Sequence, residues 1–291
     1  MVLLVTDGRF DLDRYDALVS LQIEHGVQGL IIGGTTGEGQ LMSWDEHIML
    51  IAHTVNQFGR RVLVIGNTGS NSTREAVHAS EQGFAVGMHA SLHINPYYGK
   101  TSEAGVLAHL RGALDEGPGI VYNVPSRTGQ DMSAELVAAL SAHPGFVGVK
   151  ECMGNDRVGT HAARGIATWS GNDDEAHAAR HSHGATGVIS VASNLLPGAF
   201  AALMHAPNAE LAERCLPLLD WLFCEPNPIA LNTALAMCGL AQPVFRLPYV
   251  PLDRAQRERG AKLLEDVLDL IPGVRRVRIM EDDEFTLLPR Y

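Results

Sequence analysis

Short apolar runs recur along the chain, each bounded by glycine, proline or asparagine, with amphipathic stretches between them. They are Val2 to Val5, Gly29 to Gly33, Arg61 to Gly66, Ala90 to Asn95, Gly119 to Asn123, Phe146 to Lys150, Ile166 to Ser170 and Gly187 to Val191. Runs apolar on both faces are what a parallel sheet covered by helices requires. Ser43 to Phe58, Ser72 to Gln82, Glu103 to Leu114, Ala134 to Ala142 and Asp174 to His181 read as the intervening helices. Strand–helix alternation in this number of units predicts an α/β chain, a (β/α)8 TIM barrel. A doubly wound open sheet is the rival, but it commonly carries a glycine-rich phosphate loop after its first strand. None follows Val5. From about Pro197 the strand signal stops. Gly198 to Met204, Ala209 to Phe223, Pro228 to Cys238 and Arg254 to Leu270 read as helices. The expected division is a barrel core carrying the active site over 1–205, and a C-terminal helical region and tail over 206–291. The tail mixes Arg275-Arg276 with the acidic run Glu281 to Glu284 and is expected at the surface.

Composition narrows the classes. The chain has 291 residues, 46% hydrophobic and 19% charged, the mix of a soluble globular protein. No window approaches the roughly 18 to 20 apolar residues of a membrane span. A formal charge of −11 argues against a nucleic-acid partner. Cys152, Cys215, Cys224 and Cys238 have neither CxxC spacing nor a zinc-like histidine arrangement, so no structural zinc is expected. Cys152 reads as a small filler near a strand end. The N-terminus shows neither a signal peptide nor a transit peptide pattern.

The chemistry centres on Phe146-Val147-Gly148-Val149-Lys150-Glu151. Lysine occurs only at 100, 150 and 262, against nineteen arginines. A lysine closing an apolar strand in so lysine-poor a chain suggests that the amine itself is needed. Arginine keeps its proton, whereas a desolvated lysine can lose it, attack a carbonyl and form a Schiff base. The plainer alternative is a lysine that snorkels to solvent at a strand end.

In barrels of this kind the working residues lie where strands end. The second strand ends in Gly33-Gly34-Thr35-Thr36-Gly37-Glu38-Gly39, whose hydroxyls and backbone amides suit a carboxylate, or else form a tight turn with capping threonines. The fourth ends in Asn95-Pro96-Tyr97-Tyr98-Gly99. The fifth ends in Tyr122-Asn123-Val124-Pro125-Ser126-Arg127-Thr128-Gly129. Tyr122 beside an amine can move protons, or be a rim aromatic. Arg127, in a Pro/Ser/Gly-rich loop, can hold a carboxylate, or be a solvated loop arginine. Asp173 and Asp174 read as an N-cap for the following helix rather than metal ligands.

With these residues in hand, the chain resembles the dihydrodipicolinate synthase family of the pyruvate-dependent class I aldolases. Gly34-Thr35-Thr36-Gly37-Glu38 and Gly148-Val149-Lys150-Glu151 mark the superfamily. Tyr122 to Gly129, with Arg127, points to the synthases rather than the sialic acid lyases, and Glu225-Pro226-Asn227-Pro228-Ile229 fits as well. Gly39 to His47 and Gly66 to Asn71 look like the plant and green-algal branch. The family opens with a longer first strand than Met1 to Thr6 supplies before Asp7-Gly8.

The resemblance implies a lyase of lysine (diaminopimelate) biosynthesis. Lys150 would form an imine with pyruvate, and the enamine would add to L-aspartate 4-semialdehyde, with no cofactor and no metal. Thr35, Tyr122 and Tyr98 would relay protons, Tyr98 from a neighbouring subunit. Thr36, Arg127, Ile189 and Gly171 would bind substrate. L-Lysine would inhibit at a subunit interface through Gln40, Trp44, His47, Asn71, Glu75 and Tyr97. On residue type alone, Trp44 and His47 are equally ordinary interface or core residues. A homotetramer is implied, with no nucleic acid or membrane partner, and a location in the plastid stroma, or otherwise the cytoplasm. A related aldolase acting on a sugar acid is the alternative.

Overall fold

The computed structural model describes Leu4 and residues 6–289. The chain forms two compact units: one comprises residues 28–34 and 42–190, the other the N-terminal residues to Val27, Thr35–Leu41 and Val191 onward.

The first unit is a parallel sheet with its strands in sequence order: β1 (Gly29–Ile32), β2 (Leu63–Asn67), β3 (Ala90–Ile94), β4 (Gly119–Asn123), β5 (Phe146–Glu151), β6 (Thr168–Ser170) and β7 (Gly187–Val188). Side chains alternate across a strand. Val121 and Val149 therefore pack with Val106, Leu110 and Leu114 of helix Glu103–Leu114 and with Val137 and Leu140 of helix Ala134–Ser141. On the other face, Leu92, Ile120 and Tyr122 gather with Ile31, Ile65 and Trp169. Both faces are filled, which is why these runs read as continuously apolar. This is the TIM-barrel-like α/β class, with helices C-terminal to it.

The connecting helices begin where serines allow. Ser43, Ser72, Ser102 and Ser133 each accept a hydrogen bond from the backbone N–H three residues on. Such a cap is worth about 1 kcal/mol. At Ser43 the box is reciprocal, since the Glu46 carboxylate accepts from the Ser43 N–H.

Several expectations need correction. The expected first strand, Val2 to Val5, lies outside the described residues except for Leu4, which forms an antiparallel bridge with Phe10. Helices Leu12–Glu24 and Asn155–Ala163 were not foreseen. In the second of these only Val158 and His161 are buried, so it shows little apolar period. Asp173 is no N-cap: it is buried, and the following helix, Ala176–Ser182, starts after Glu175 without a side-chain cap.

The second unit contains helices Leu12–Glu24, Pro197–His205, Ala209–Leu222, Ile229–Met237 and Arg254–Asp266. Strands do not stop at Pro197, because β8 (Val244–Arg246) and β9 (Thr286–Leu288) pair in parallel. The acidic run of the tail is pinned by basic residues. Arg254 pairs with Glu281, the fully buried Arg257 with Asp282, and Arg278 with Glu284 at 2.7 Å.

Candidate active site

Parallel pairing sets Tyr122 of β4 directly beside Lys150 of β5. The Lys150 Nζ stands 4.3 Å from the centre of the Tyr122 ring. Burial is the chief influence on this amine and lowers its pKa; nearby Cys152 and Asp173 oppose that shift, and Arg127 adds to it. A lowered pKa raises the share of free amine at neutral pH, which is the nucleophilic form. Burial also pushes the Tyr122 phenol well above its ordinary value, so it keeps its proton and remains a donor.

Two further groups complete this corner. Cys152 packs against the cluster that holds Tyr122, and burial raises its pKa, so it stays a thiol. It fills space near the strand end, as expected. Gly171 follows β6, and a Cβ there would stand 2.3 Å from Cys152 Sγ and 3.0 Å from Lys150 Cε. Only glycine lets the backbone pass so close to the amine's stem. Arg127 sits not in a loop but in a single helical turn, Pro125–Thr128, with its side chain exposed. Ile189 follows β7, half-buried, its N–H donating to Ser170 O at 2.9 Å.

Thr35 and Thr36 belong to the second unit, in the 3-10 turn Thr35–Gly37. Asn227 Nδ2 donates to Thr36 Oγ1 at 2.9 Å and orients that hydroxyl. Glu38 is buried with a left-handed φ of 55° and accepts from Asn232 Nδ2 at 2.5 Å. Burial raises its carboxyl pKa. Asn227 stood in a quoted motif but without this role, and Asn232 was not singled out, because each lies about 190 residues from its partner.

The residues matched to an inhibitor site are dispersed in their contacts. Gln40 Nε2 donates to the Tyr249 hydroxyl at 2.6 Å. Trp44 Nε1 donates to Gln82 Oε1, and its ring lies 5.3 Å from that of His47. His47 is buried, which lowers its pKa, and its ring occupies the space a side chain at Gly33 would need. Gly33 has a left-handed φ of 70°. Asn71 and Tyr97 help line a cavity of about 290 Å³ with Tyr98, Lys100 and His109. Glu75 is exposed and accepts from Arg74. Tyr98 is 93% exposed with a left-handed φ of 67°.

Among the described residues no group of three or more His, Cys, Asp or Glu is placed to hold a metal ion. No described helix is long and apolar enough to cross a membrane.

Comparison with known proteins assigns the chain to a family. The model of the dihydrodipicolinate synthetase family matches residues 2–267. The chain is 60% identical over 287 residues to a chloroplastic 4-hydroxy-tetrahydrodipicolinate synthase of Zea mays, covering 98% of this chain and 76% of that protein. It is also 60% identical to such a protein of Arabidopsis thaliana, covering 98% of this chain and 79% of the relative. Among solved structures, a dihydrodipicolinate synthase of Acinetobacter baumannii complexed with pyruvate superposes with a TM-score of 0.89 at 33% identity, covering 93% of this chain and 97% of that one. One of Cyanidioschyzon merolae with lysine bound gives 0.85 at 27% identity, covering 91% and 95%. The chain belongs to the dihydrodipicolinate synthetase family and is a lyase. Enzymes of this family work through a covalent pyruvate–lysine Schiff base, without an external cofactor.

Proposed function

We propose that this lyase condenses pyruvate with L-aspartate 4-semialdehyde to give 4-hydroxy-tetrahydrodipicolinate, with Lys150 as its nucleophile. The observation that carries the reading is the half-buried Lys150, its amine's pKa lowered by desolvation and its Nζ 4.3 Å from the centre of the Tyr122 ring. The free amine attacks the pyruvate keto carbon, and loss of water leaves the iminium. The iminium is the electron sink, so a C3 proton leaves and the enamine adds to the aldehyde. The semialdehyde's own amine then attacks the imine carbon, closes the ring and frees Lys150.

Tyr122, held protonated by burial, is suited to deliver and recover protons. In this reading Thr35 and a partner subunit's relay tyrosine extend the path. The exposure and left-handed backbone of Tyr98 support a role outside its own subunit. Thr36 takes the pyruvate carboxylate and Arg127 the carboxylate of the aldehyde substrate, while Gly171 and Ile189 line the pocket. The relatives' chloroplastic names support the plastid as the location. The lysine-bound relative, with Trp44, His47, Asn71, Glu75, Tyr97 and Gln40 in this chain, supports feedback inhibition by L-lysine.

Borohydride reduction in the presence of pyruvate, followed by peptide mass measurement, tests the central claim. A reduced pyruvyl adduct on Lys150 is expected, and an unmodified Lys150 peptide defeats the proposal. Arg127→Ala is expected to raise the semialdehyde KM strongly and leave pyruvate trapping intact. A loss of pyruvate trapping would reassign Arg127.

A further inference from the structure

Behind the catalytic pair lies a buried polar network that the chemistry above does not use. Strand alternation turns Asn123 and Glu151 to the face opposite Tyr122 and Lys150, and the two are register partners. Glu151 is 1% exposed. A buried carboxylate is costly unless its lone pairs are filled. Here they are. Asn123 Nδ2 lies 2.9 and 3.2 Å from the two oxygens, Met153 N donates at 2.9 Å and His161 Nε2 lies 3.1 Å away. Asn123 is itself fixed, accepting from Met132 N at 3.0 Å and donating to Asp131 at 2.7 Å. Arg157 ties Asp131 and Met132 O to the same helix that carries His161, at 2.9 and 2.7 Å.

His161 is fully buried, and its other ring nitrogen has no hydrogen-bond partner among the described residues. An apolar residue would fill that space without orphaning a polar atom, so the imidazole's use here is its single contact with Glu151. That contact grips the chain at a decisive point. Glu151 separates Lys150 from Cys152, which packs with Tyr122, and the Met153 N–H is bound to the same carboxylate. The Lys150 stem also has little slack, because a methyl group at Gly171 would reach within 3.0 Å of Lys150 Cε.

We infer that His161 and Glu151 are positioning residues: by clasping helix Asn155–Ala163 to the ends of β4 and β5, they hold Lys150 and Tyr122 at the spacing imine formation needs. The inference rests on the imine chemistry proposed above. Small displacements of a reacting group cost rate rather than binding.

The test is rapid-quench borohydride trapping with the full chain over a range of pyruvate concentrations. His161→Leu is expected to slow trapping at saturating pyruvate by about ten-fold or more, because even a 1 Å misplacement is costly. The half-saturating pyruvate concentration should stay within about two-fold, since uniform binding is untouched. His161→Gln keeps an N–H donor for Glu151 and should recover most of the rate. Trapping of His161→Leu at the parental rate overturns the inference. So does a loss that glutamine leaves unrepaired, or one that merely follows the folded fraction measured by near-ultraviolet circular dichroism. Should His161→Leu fail to fold, Glu151→Gln decides by the same measurement: a parental rate overturns the inference, a slowed rate at unchanged half-saturation supports it. A parent protein that forms no adduct refutes the imine reading itself, whereas a trapping parent with an indifferent His161→Leu refutes only the clasp.

Discussion

Two tyrosine-bearing strand ends of the same sheet are built in opposite ways. Tyr122, at the end of β4, is buried, packed with Cys152 and backed by a polar network centred on Glu151. Tyr98, four residues beyond β3, is almost wholly exposed, and both it and Lys100 adopt left-handed backbone, with φ of 67° and 34°. One group is fixed by its surroundings before any substrate arrives. The other bears backbone strain with little contact in return. Strain that persists on an exposed aromatic is intelligible if something beyond this chain covers it. The comparison teaches that preorganisation here is concentrated where the covalent bond would form.

The largest effect that could break the contrast is at the amine. Lys150→Arg keeps charge and length but cannot yield a free amine. It is expected to abolish the borohydride-stable adduct and turnover; a surviving adduct would place the nucleophile elsewhere. Next comes Gly171→Ala. Its new methyl meets both Cys152 Sγ and Lys150 Cε. Overpacking of this kind costs about 1–3 kcal/mol. Displacing the amine should also lower kcat by about 100-fold. Urea unfolding and steady-state kinetics read the two costs separately, and unchanged kcat would show that the corner yields freely.

Acid should act on the strand that leads to the exposed tyrosine. His93 of β3 is fully buried, and burial foremost, with His109 nearby, brings its pKa from 6.5 down to about 4. The unfolded chain therefore takes up the proton first. The stabilisation of keeping His93 neutral is complete above pH 6.5 and is lost as the pH falls toward about 4. The full difference is about 3 kcal/mol. Urea midpoints at neutral pH and near pH 4.5 measure it, and His93→Leu should flatten the slope. The smallest effect is at Tyr98→Gly, which should relieve the left-handed strain and raise stability by about 1 kcal/mol, while removing the proposed relay hydroxyl and slowing turnover. A loss of stability would show that the exposed ring already has a packing partner.

These contrasts also explain what could be read in advance. Lys150 announced itself because it is a rare residue type at the end of an apolar run, and Tyr122 and Gly171 stood at the ends of neighbouring runs. Those are local signals, and parallel register turns them into proximity. The hydrogen bond of Asn227 to Thr36 spans 191 residues, and β9 pairs with β8 across 42, counting Val244 to Thr286. No local periodicity encodes such pairings, so the partner of Thr36 stayed hidden and β8 was missed. His161 was invisible for another reason. It lies on a helix with a narrow buried stripe, and its value comes only from Glu151 being turned away from the amine.

The pinned tail carries a consequence for synthesis. Arg257 is shut away from water with Asp282 as its ion-pair partner, yet 24 residues separate the two in the chain, and β8 cannot pair until Thr286 exists. While the nascent polypeptide is still being extruded, helix Arg254–Asp266 thus holds a guanidinium whose counter-charge is inside the ribosome's exit tunnel. A truncated product ending before residue 282 would strand that cation, and cellular proteases would meet it as an unfinished molecule.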